Sequence, residues 1–287
     1  MSKAIQLAQP DEDFIQSTRD ALLEEARNAG AHTILISSEH FHVHDNVADV
    51  ARILPPEDTR IVIYIRDHSA YLESWYKQQI VALPMTCSFQ DFIDMRDVRF
   101  SALLRKWIEI YGRERVHISV YNRSELVDGD IVKDIFSQFP EFRDFKKNDE
   151  YQEREKNPSI SGNLLFVKRV LNMLTDIPRA STIANDLVRL STVDDTFSGA
   201  MHIDEATVER IAFLNRMDRE CLKKDFGILL VPRRGERAGA FSPDFSRMRD
   251  DIKLLEKASK AQNLSFHKLM RKARSMLKGT PLIGWFE

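Results

Sequence analysis

Three short apolar, β-branched runs alternate with stretches of helical periodicity in the first half of this chain, and that alternation narrows the fold more than any other feature. The runs are residues 32–37 (HTILIS), 60–65 (RIVIYI) and 115–121 (RVHISVY). β-Branched and aromatic side chains suit a pleated, half-buried surface, so each run predicts a strand. Helical spacing fills the intervals. Over residues 11–29 the apolar positions Phe14, Ile15, Ala21, Leu22, Leu23 and Ala26 recur at helical spacing, and Gly30 stands where a left-handed C-terminal cap belongs. Residues 70–83, residues 98–111 closed by Gly112, and residues 130–139 predict further helices. Strands interleaved with helices predict an α/β fold with a parallel sheet flanked by helices.

Residues 143–157 (RDFKKNDEYQEREKN) are almost all charged or polar and predict a solvated loop. Beyond them no strand signal recurs. Helical periodicity returns over residues 161–174 and 204–226, with Asp204 as an N-cap. The expected organisation is therefore an α/β core over residues 1–145, a helical completion over 146–240, and a basic extension over 241–287. Within that extension, residues 247–278 hold ten Lys or Arg against three acids. Leu254, Leu255, Leu264, Phe266, Leu269, Met270 and Leu277 recur there at the spacing of an amphipathic helix packed on the body. The same basic stretch also offers a surface to an acidic glycan, an anionic membrane face or a partner.

The whole chain, by contrast, is nearly neutral. At 287 residues it is long enough to bury a substantial core, and its net charge of −2 supplies no global attraction to nucleic acid. Cys87 and Cys221 are its two cysteines, without a CxxC pair. Together with the lack of a signal-peptide pattern, they predict a reducing, cytoplasmic setting rather than a disulfide framework. No apolar run reaches the roughly 18 to 20 residues a bilayer-spanning helix needs.

Chemistry concentrates at residues 60–79 (RIVIYIRDHSAYLESWYKQQ), where an apolar run ends in Arg66 and a helix follows. Arg66 and Ser74, eight residues apart, stand where a strand-turn-helix can bring a guanidinium and a hydroxyl to one anion, at the edge where open α/β sheets bind ligands. The plainer reading pairs Arg66 with Asp67 or Glu73 and leaves Ser74 facing a neighbouring helix. His40, His42 and His44 alternate beside Asp45 and would share one side of an extended segment, a pattern open to a metal. No second His or Cys cluster stands out to complete such a site, so packed or solvated histidines are the simpler reading and no metal is expected. In residues 156–162 (KNPSISG), Asn157, Ser159 and Ser161 precede a helix, either as phosphate donors or as a plain N-cap. Arg233, Arg234 and Arg237 form a further basic loop, solvated or anion-binding.

These segments, in this order, resemble the bacterial branch of the sulfotransferases that use 3'-phosphoadenosine 5'-phosphosulfate (PAPS). The resemblance is carried by ILISSEHF at residues 34–41, YIRDHSAYLESWYKQ at 64–78, YGRERVHISVYNRSEL at 111–126 and KNPSISG at 156–162. It implies a P-loop-NTPase-like sulfotransferase fold, PAPS as co-substrate, and a hydroxyl of a carbohydrate or other small molecule as acceptor. In that family an Arg at a strand end and a Ser eight residues on hold the 3'-phosphate, which the resemblance assigns to Arg66 and Ser74. The segment after ILISSE carries the family's catalytic base, placing Glu39 first and His40 second, since sulfuryl transfer needs the acceptor's proton removed. Asn157 and Ser159 would line the cofactor site.

The chain departs from the family at one point. Family members begin with a strand and a Gly-Thr-Lys-Thr-type loop that cradles the 5'-phosphosulfate, and no such loop, nor a G-x-x-x-x-G-K-[ST] motif, occurs in this sequence. The expectation is an N-terminally incomplete version of the fold. Its open sheet edge would be covered by the first helix, the basic tail or a second chain, including a second copy of this one. Three functional classes follow: a PAPS-dependent sulfotransferase, a non-catalytic nucleotide- or glycan-binding module, and a helical interaction protein.

Overall fold

The computed structural model describes residues 11–38, 41, 47–142, 160–174, 183–201, 203–232 and 243–286. Its elements, in chain order, are helices α1 (Glu12–Asn28) and α2 (Val47–Ile53), strand β1 (Ile61–Ile65), helices α3 (His68–Ala82), α4 (Phe89–Asp94) and α5 (Phe100–Tyr111), and strand β2 (Val116–Val120). After β2 the described elements are all helical: α6 (Ile131–Ser137), α7 (Gly162–Met173), α8 (Ala184–Leu190), α9 (Glu205–Leu214), α10 (Arg216–Phe226), α11 (Met248–Ala261), α12 (Phe266–Leu277) and α13 (Ile283–Phe286). The protein is thus α/β and mostly helical, with a parallel pair of strands. Among the described residues no helix is long and apolar enough to cross a membrane.

The chain divides into two compact units. One comprises Met1–Arg66, Arg99–Arg143 and Met217–Leu229. The other comprises Asp67–Val98, Asp144–Arg216 and Leu230–Glu287.

The first unit is organised by its strands. β1 and β2 pair in parallel with Ile61 opposite Val116 and Ile65 opposite Val120. Because side chains alternate across a strand, Ile61, Ile63, Val116 and Ile118 fall on one face, where they pack with Val47 and Val50 of α2 and Trp107 and Tyr111 of α5. Trp107 stacks on Tyr111 with ring centroids 5.6 Å apart, and the buried Tyr111 hydroxyl donates to the Leu54 carbonyl at 3.0 Å. The opposite face carries Tyr64, His117 and Ser119. There Tyr64 donates to Asp134, and the Gln138 amide reaches Tyr64 Oη at 2.7 Å and Ser119 Oγ at 3.2 Å. Burial, then the Asp134 carboxylate, raises the Tyr64 pKa. The His117 ring meets Phe139 edge-on at 5.1 Å.

One expected strand does not form. Residues 32–37 join no ladder, and Ile34 and Leu35 are 42% and 64% exposed. A strand is stable only when neighbours take up its backbone hydrogen bonds and cover its apolar side, and a β-favourable composition alone supplies neither. The expected three strands are therefore two among the described residues.

Local signals match the observed helices closely. Asp11 accepts from Phe14 N at 2.8 Å to start α1, and Gly30 follows its end at φ +61. Asp130 accepts from Val132 N to start α6, and Asp204 from Thr207 N to start α9. The single helix expected over 204–226 is broken at buried Asn215, whose side-chain amide folds back to the Ile211 carbonyl at 2.8 Å. Ser88 and Asp91 form a reciprocal capping box at the start of α4, a sequence signal that could have located this short helix in advance.

In the second unit α3 packs against α4, α7 and α9, and α11 against α7, α8, α12 and α13. The ion pair Lys77 Nζ to Glu73 Oε1, 2.8 Å, is buried within α3; Glu73 also accepts from Met201 N, and Lys77 donates to the Gly199 carbonyl. The basic segment expected as one amphipathic helix is two, α11 and α12, parted at Asn263 with φ +54. Their apolar sides are buried, including Leu255, Phe266, Leu269, Met270 and Leu277.

Candidate functional site

The best-defined candidate lies at the carboxyl ends of the paired strands. Arg66 directly follows β1 and Tyr121 directly follows β2, and the parallel register puts both at the same sheet edge. Tyr121 N donates to the Ile65 carbonyl at 2.7 Å, extending the ladder by one bond. The Arg66 guanidinium lies over the Tyr121 ring, 4.3 Å from its centroid. Such stacking engages the flat face of the guanidinium and leaves its in-plane N–H groups to donate to a planar or tetrahedral anion. Among the described residues Arg66 makes no ion pair.

The two carboxylates that the plainer sequence reading offers to Arg66 are used elsewhere. Asp67 caps α3, accepting from Ser69 N at 2.9 Å and from the Ser69 hydroxyl. Glu73 is taken by Lys77 and Met201 N. Ser74 sits on the second turn of α3 with its side chain exposed. Arg66 belongs to the first unit and Ser74 to the second, and each is placed by the packing of its own unit.

Glu39 and His40, the candidate bases, lie outside the described residues, as do His42, His44 and Asp45 of the possible metal cluster. Asn157, Ser159, Arg233, Arg234 and Arg237 also lie outside them. Among the described residues no group of three or more His, Cys, Asp or Glu is gathered as a metal centre would require.

Of the KNPSISG segment, Ile160, Ser161 and Gly162 are described, and they enter α7. Ser161 is the N-cap residue, buried, but its side chain makes no cap hydrogen bond; its backbone N–H instead donates to the Phe197 carbonyl at 2.8 Å. Ser161 thus takes the expected N-cap position without the side-chain bond that usually accompanies it. Asn163, one residue into the helix, holds this region in place. Its Nδ2 donates to the Asp244 carbonyl at 2.8 Å and to Asp251 Oδ2 at 2.6 Å, and Arg247 bridges Asp251 and Asp194 at 3.2 and 3.3 Å. Hydrogen bonds from Thr196 and the charge of Arg247 lower the Asp194 pKa. Beside the start of α7, Tyr76, Leu165, Phe166, Arg169, Met201 and Pro243 line a small, open depression. It is mostly apolar, with one guanidinium, Arg169, donating to Tyr76 Oη at 3.5 Å.

Sequence reasoning missed Tyr121, Asn163 and Asp251. Tyr121 was visible as the residue ending the third apolar run, in the position that Arg66 occupies in the second. Asn163 and Asp251 are 88 residues apart, and no local pattern joins them.

No family model matches the chain, and no solved structure matches it. An uncharacterized protein of Archaeoglobus fulgidus is 25% identical over 146 residues, a stretch covering 48% of this chain and 38% of that protein. The matched stretch thus spans well under half of that protein's length, and the similarity carries no stated activity.

Proposed function

We propose that this chain is a sulfotransferase-like protein that binds the 3'-phosphate end of PAPS through Arg66 and Ser74 and serves sulfuryl transfer to a hydroxyl of a carbohydrate or other small acceptor. The observation that carries the reading is Arg66 at the carboxyl end of a parallel strand, its guanidinium stacked on Tyr121 and without a carboxylate partner among the described residues. Parallel sheets bind ligands at this edge, and a stacked Arg is suited to phosphate. The order of the four sequence segments that resemble the bacterial sulfotransferases supports the assignment of the anion as a nucleotide 3'-phosphate, within a P-loop-like sulfotransferase fold.

In the proposed reaction an acceptor oxygen attacks sulfur, the bond from sulfur to the bridging oxygen of the 5'-phosphate breaks, and adenosine 3',5'-bisphosphate leaves. Glu39, or His40 in its place, takes the acceptor proton. Asn157 and Ser159 line the nucleotide. Cationic and amide donors stabilise the charge on the leaving phosphate, so the proposal requires no metal.

A second reading, nucleotide binding without transfer, is favoured by one specific observation. The sequence holds no Gly-Thr-Lys-Thr-type loop to neutralise the leaving group. One calorimetric series tests both. Adenosine 3',5'-bisphosphate should bind the wild type, and Arg66→Ala should weaken binding by about tenfold or more, the loss expected of a charge-assisted contact. Absence of binding by the wild type removes both nucleotide readings. Binding without release of adenosine 3',5'-bisphosphate from PAPS, across a panel of hydroxyl acceptors, selects the second.

A further inference from the structure

We infer that the outer face of α11 and α12 is an electrostatic docking surface for an anionic lipid bilayer. It stands on residues separate from the nucleotide site.

The two helices share one design. On α11 the buried positions Met248, Asp251, Ile252, Leu255 and Ser259 form one stripe, and on α12 Phe266, Leu269, Met270, Ala273 and Leu277 form the matching stripe. Both apolar faces are consumed by packing. Where the helices meet, Arg274 forms a bidentate pair with Glu256, Nη1 to Oε1 at 2.7 Å and Nη2 to Oε2 at 2.8 Å. Residues three before and four after each partner lie on the same side of its helix. For Glu256 these are Lys253 and Lys260. For Arg274 they are Arg271 and Lys278, the latter at the helix C-cap. All four are exposed, so one interhelical ion pair is flanked by four solvent-facing cations. Lys257 and Lys268 extend the two rows and are also exposed.

These charges are not neutralised locally. Among the described residues none of the six side chains has an ion pair. Of the three acids in this segment, Asp251 is 3% exposed and engaged by Asn163 and Arg247, Glu256 is held by Arg274, and Asp250 is exposed. The chain as a whole carries −2, so the cationic face stands against an acidic remainder. That asymmetry orients a molecule approaching an anionic surface.

The chemistry of the face favours lipid over nucleic acid. Five of the six cations are lysines, compact point charges suited to diffuse attraction rather than to forked, base-reading contacts. No aromatic side chain joins the two rows to stack a base. Clusters of four to eight cations on amphipathic helices suit anionic headgroups, each contributing roughly 1 kcal/mol near the surface. With the apolar faces buried, nothing is left to insert, and the association is electrostatic and screened by salt.

Sedimentation of the full chain with vesicles tests this. The protein should pellet with phosphatidylcholine vesicles containing phosphatidylglycerol, remain in solution with phosphatidylcholine alone, and be released by added salt. The quadruple variant Lys253→Gln, Lys260→Gln, Arg271→Gln and Lys278→Gln should partition about a thousandfold less, four cations at roughly 1 kcal/mol apiece. The exposed pair Lys223→Gln and Lys224→Gln on α10 should change partitioning far less. Circular dichroism melting confirms that both variants fold, and quadruple Glu replacements provide a second set. No pelleting with the anionic vesicles, or equal loss in the α10 variant, overturns the assignment. Capture by duplex DNA or heparin without vesicle binding overturns it in favour of a soluble polyanion.

Discussion

The Arg66 guanidinium rests on the Tyr121 ring, 4.3 Å from its centroid, although the two residues follow separate strands and are brought together by the parallel pairing of β1 with β2. The ring fixes the cation's plane without taking its hydrogen-bond donors. Removing the ring should therefore weaken anion binding modestly, while removing the fork should weaken it severely.

Tyr121→Leu should reduce affinity for adenosine 3',5'-bisphosphate by about three- to tenfold, the range of an exposed to partly desolvated cation–π contact. Arg66→Lys, which keeps charge but loses the planar fork, should cost more. Calorimetric titration of both variants checks the order. A larger effect from Tyr121→Leu than from Arg66→Lys would show that the ring, rather than the cation, contacts the ligand.

Asp218 should prove a long-range helix cap. Its carboxylate accepts from Phe100 N at 3.2 Å, Ser101 N at 2.9 Å and Ser101 Oγ at 2.6 Å, while Arg99 at the N-cap position supplies no side-chain cap bond. Asp218→Ala leaves buried amides at the start of α5 without an acceptor and should lower stability by about 2 kcal/mol or more. Urea unfolding measures the change. A loss within about 0.5 kcal/mol, the range of an ordinary surface substitution, would contradict the capping role.

Lys168 should make stability rise with alkaline pH. Its side chain is 1% exposed, its Nζ donates to the Ile80 carbonyl at 3.0 Å and to Asn172 Oδ1, and burial pulls its pKa from 10.5 down to about 8. Because the folded value lies below the unfolded one, the unfolded chain binds more protons between about pH 8 and 10.5, and stability rises with pH across that window. The slope from this group approaches about 1.4 kcal/mol per pH unit at its steepest. Lys168→Met removes it, and Asn172 Nδ2 still donates to the Ile80 carbonyl at 3.0 Å. Unfolding free energies of wild type and Lys168→Met should converge or cross as pH rises through the window. Parallel curves would show that the ammonium is not held in a desolvated state.

What the sequence by itself determined is local. Asp11, Asp130 and Asp204 each start the helix expected of them because the carboxylate reaches an amide two or three residues on, a relationship complete within one turn. The apolar runs ending at Ile65 and near Val120 became strands because each found the other, with α2 and α5 covering one face. The run at 32–37 is similarly apolar and β-branched but has no such partner among the described residues, and its Ile34 and Leu35 are exposed. Of the candidate site, the position of Arg66 directly after a strand and of Ser74 in the helix that follows was legible from the sequence pattern. The stacking of Arg66 on Tyr121, the cap that Asp218 lends α5 and the tie from Asn163 to Asp251 were not. Each joins residues tens to more than a hundred positions apart, and contacts of that kind are decided by which surfaces bury together rather than by any periodicity along the chain.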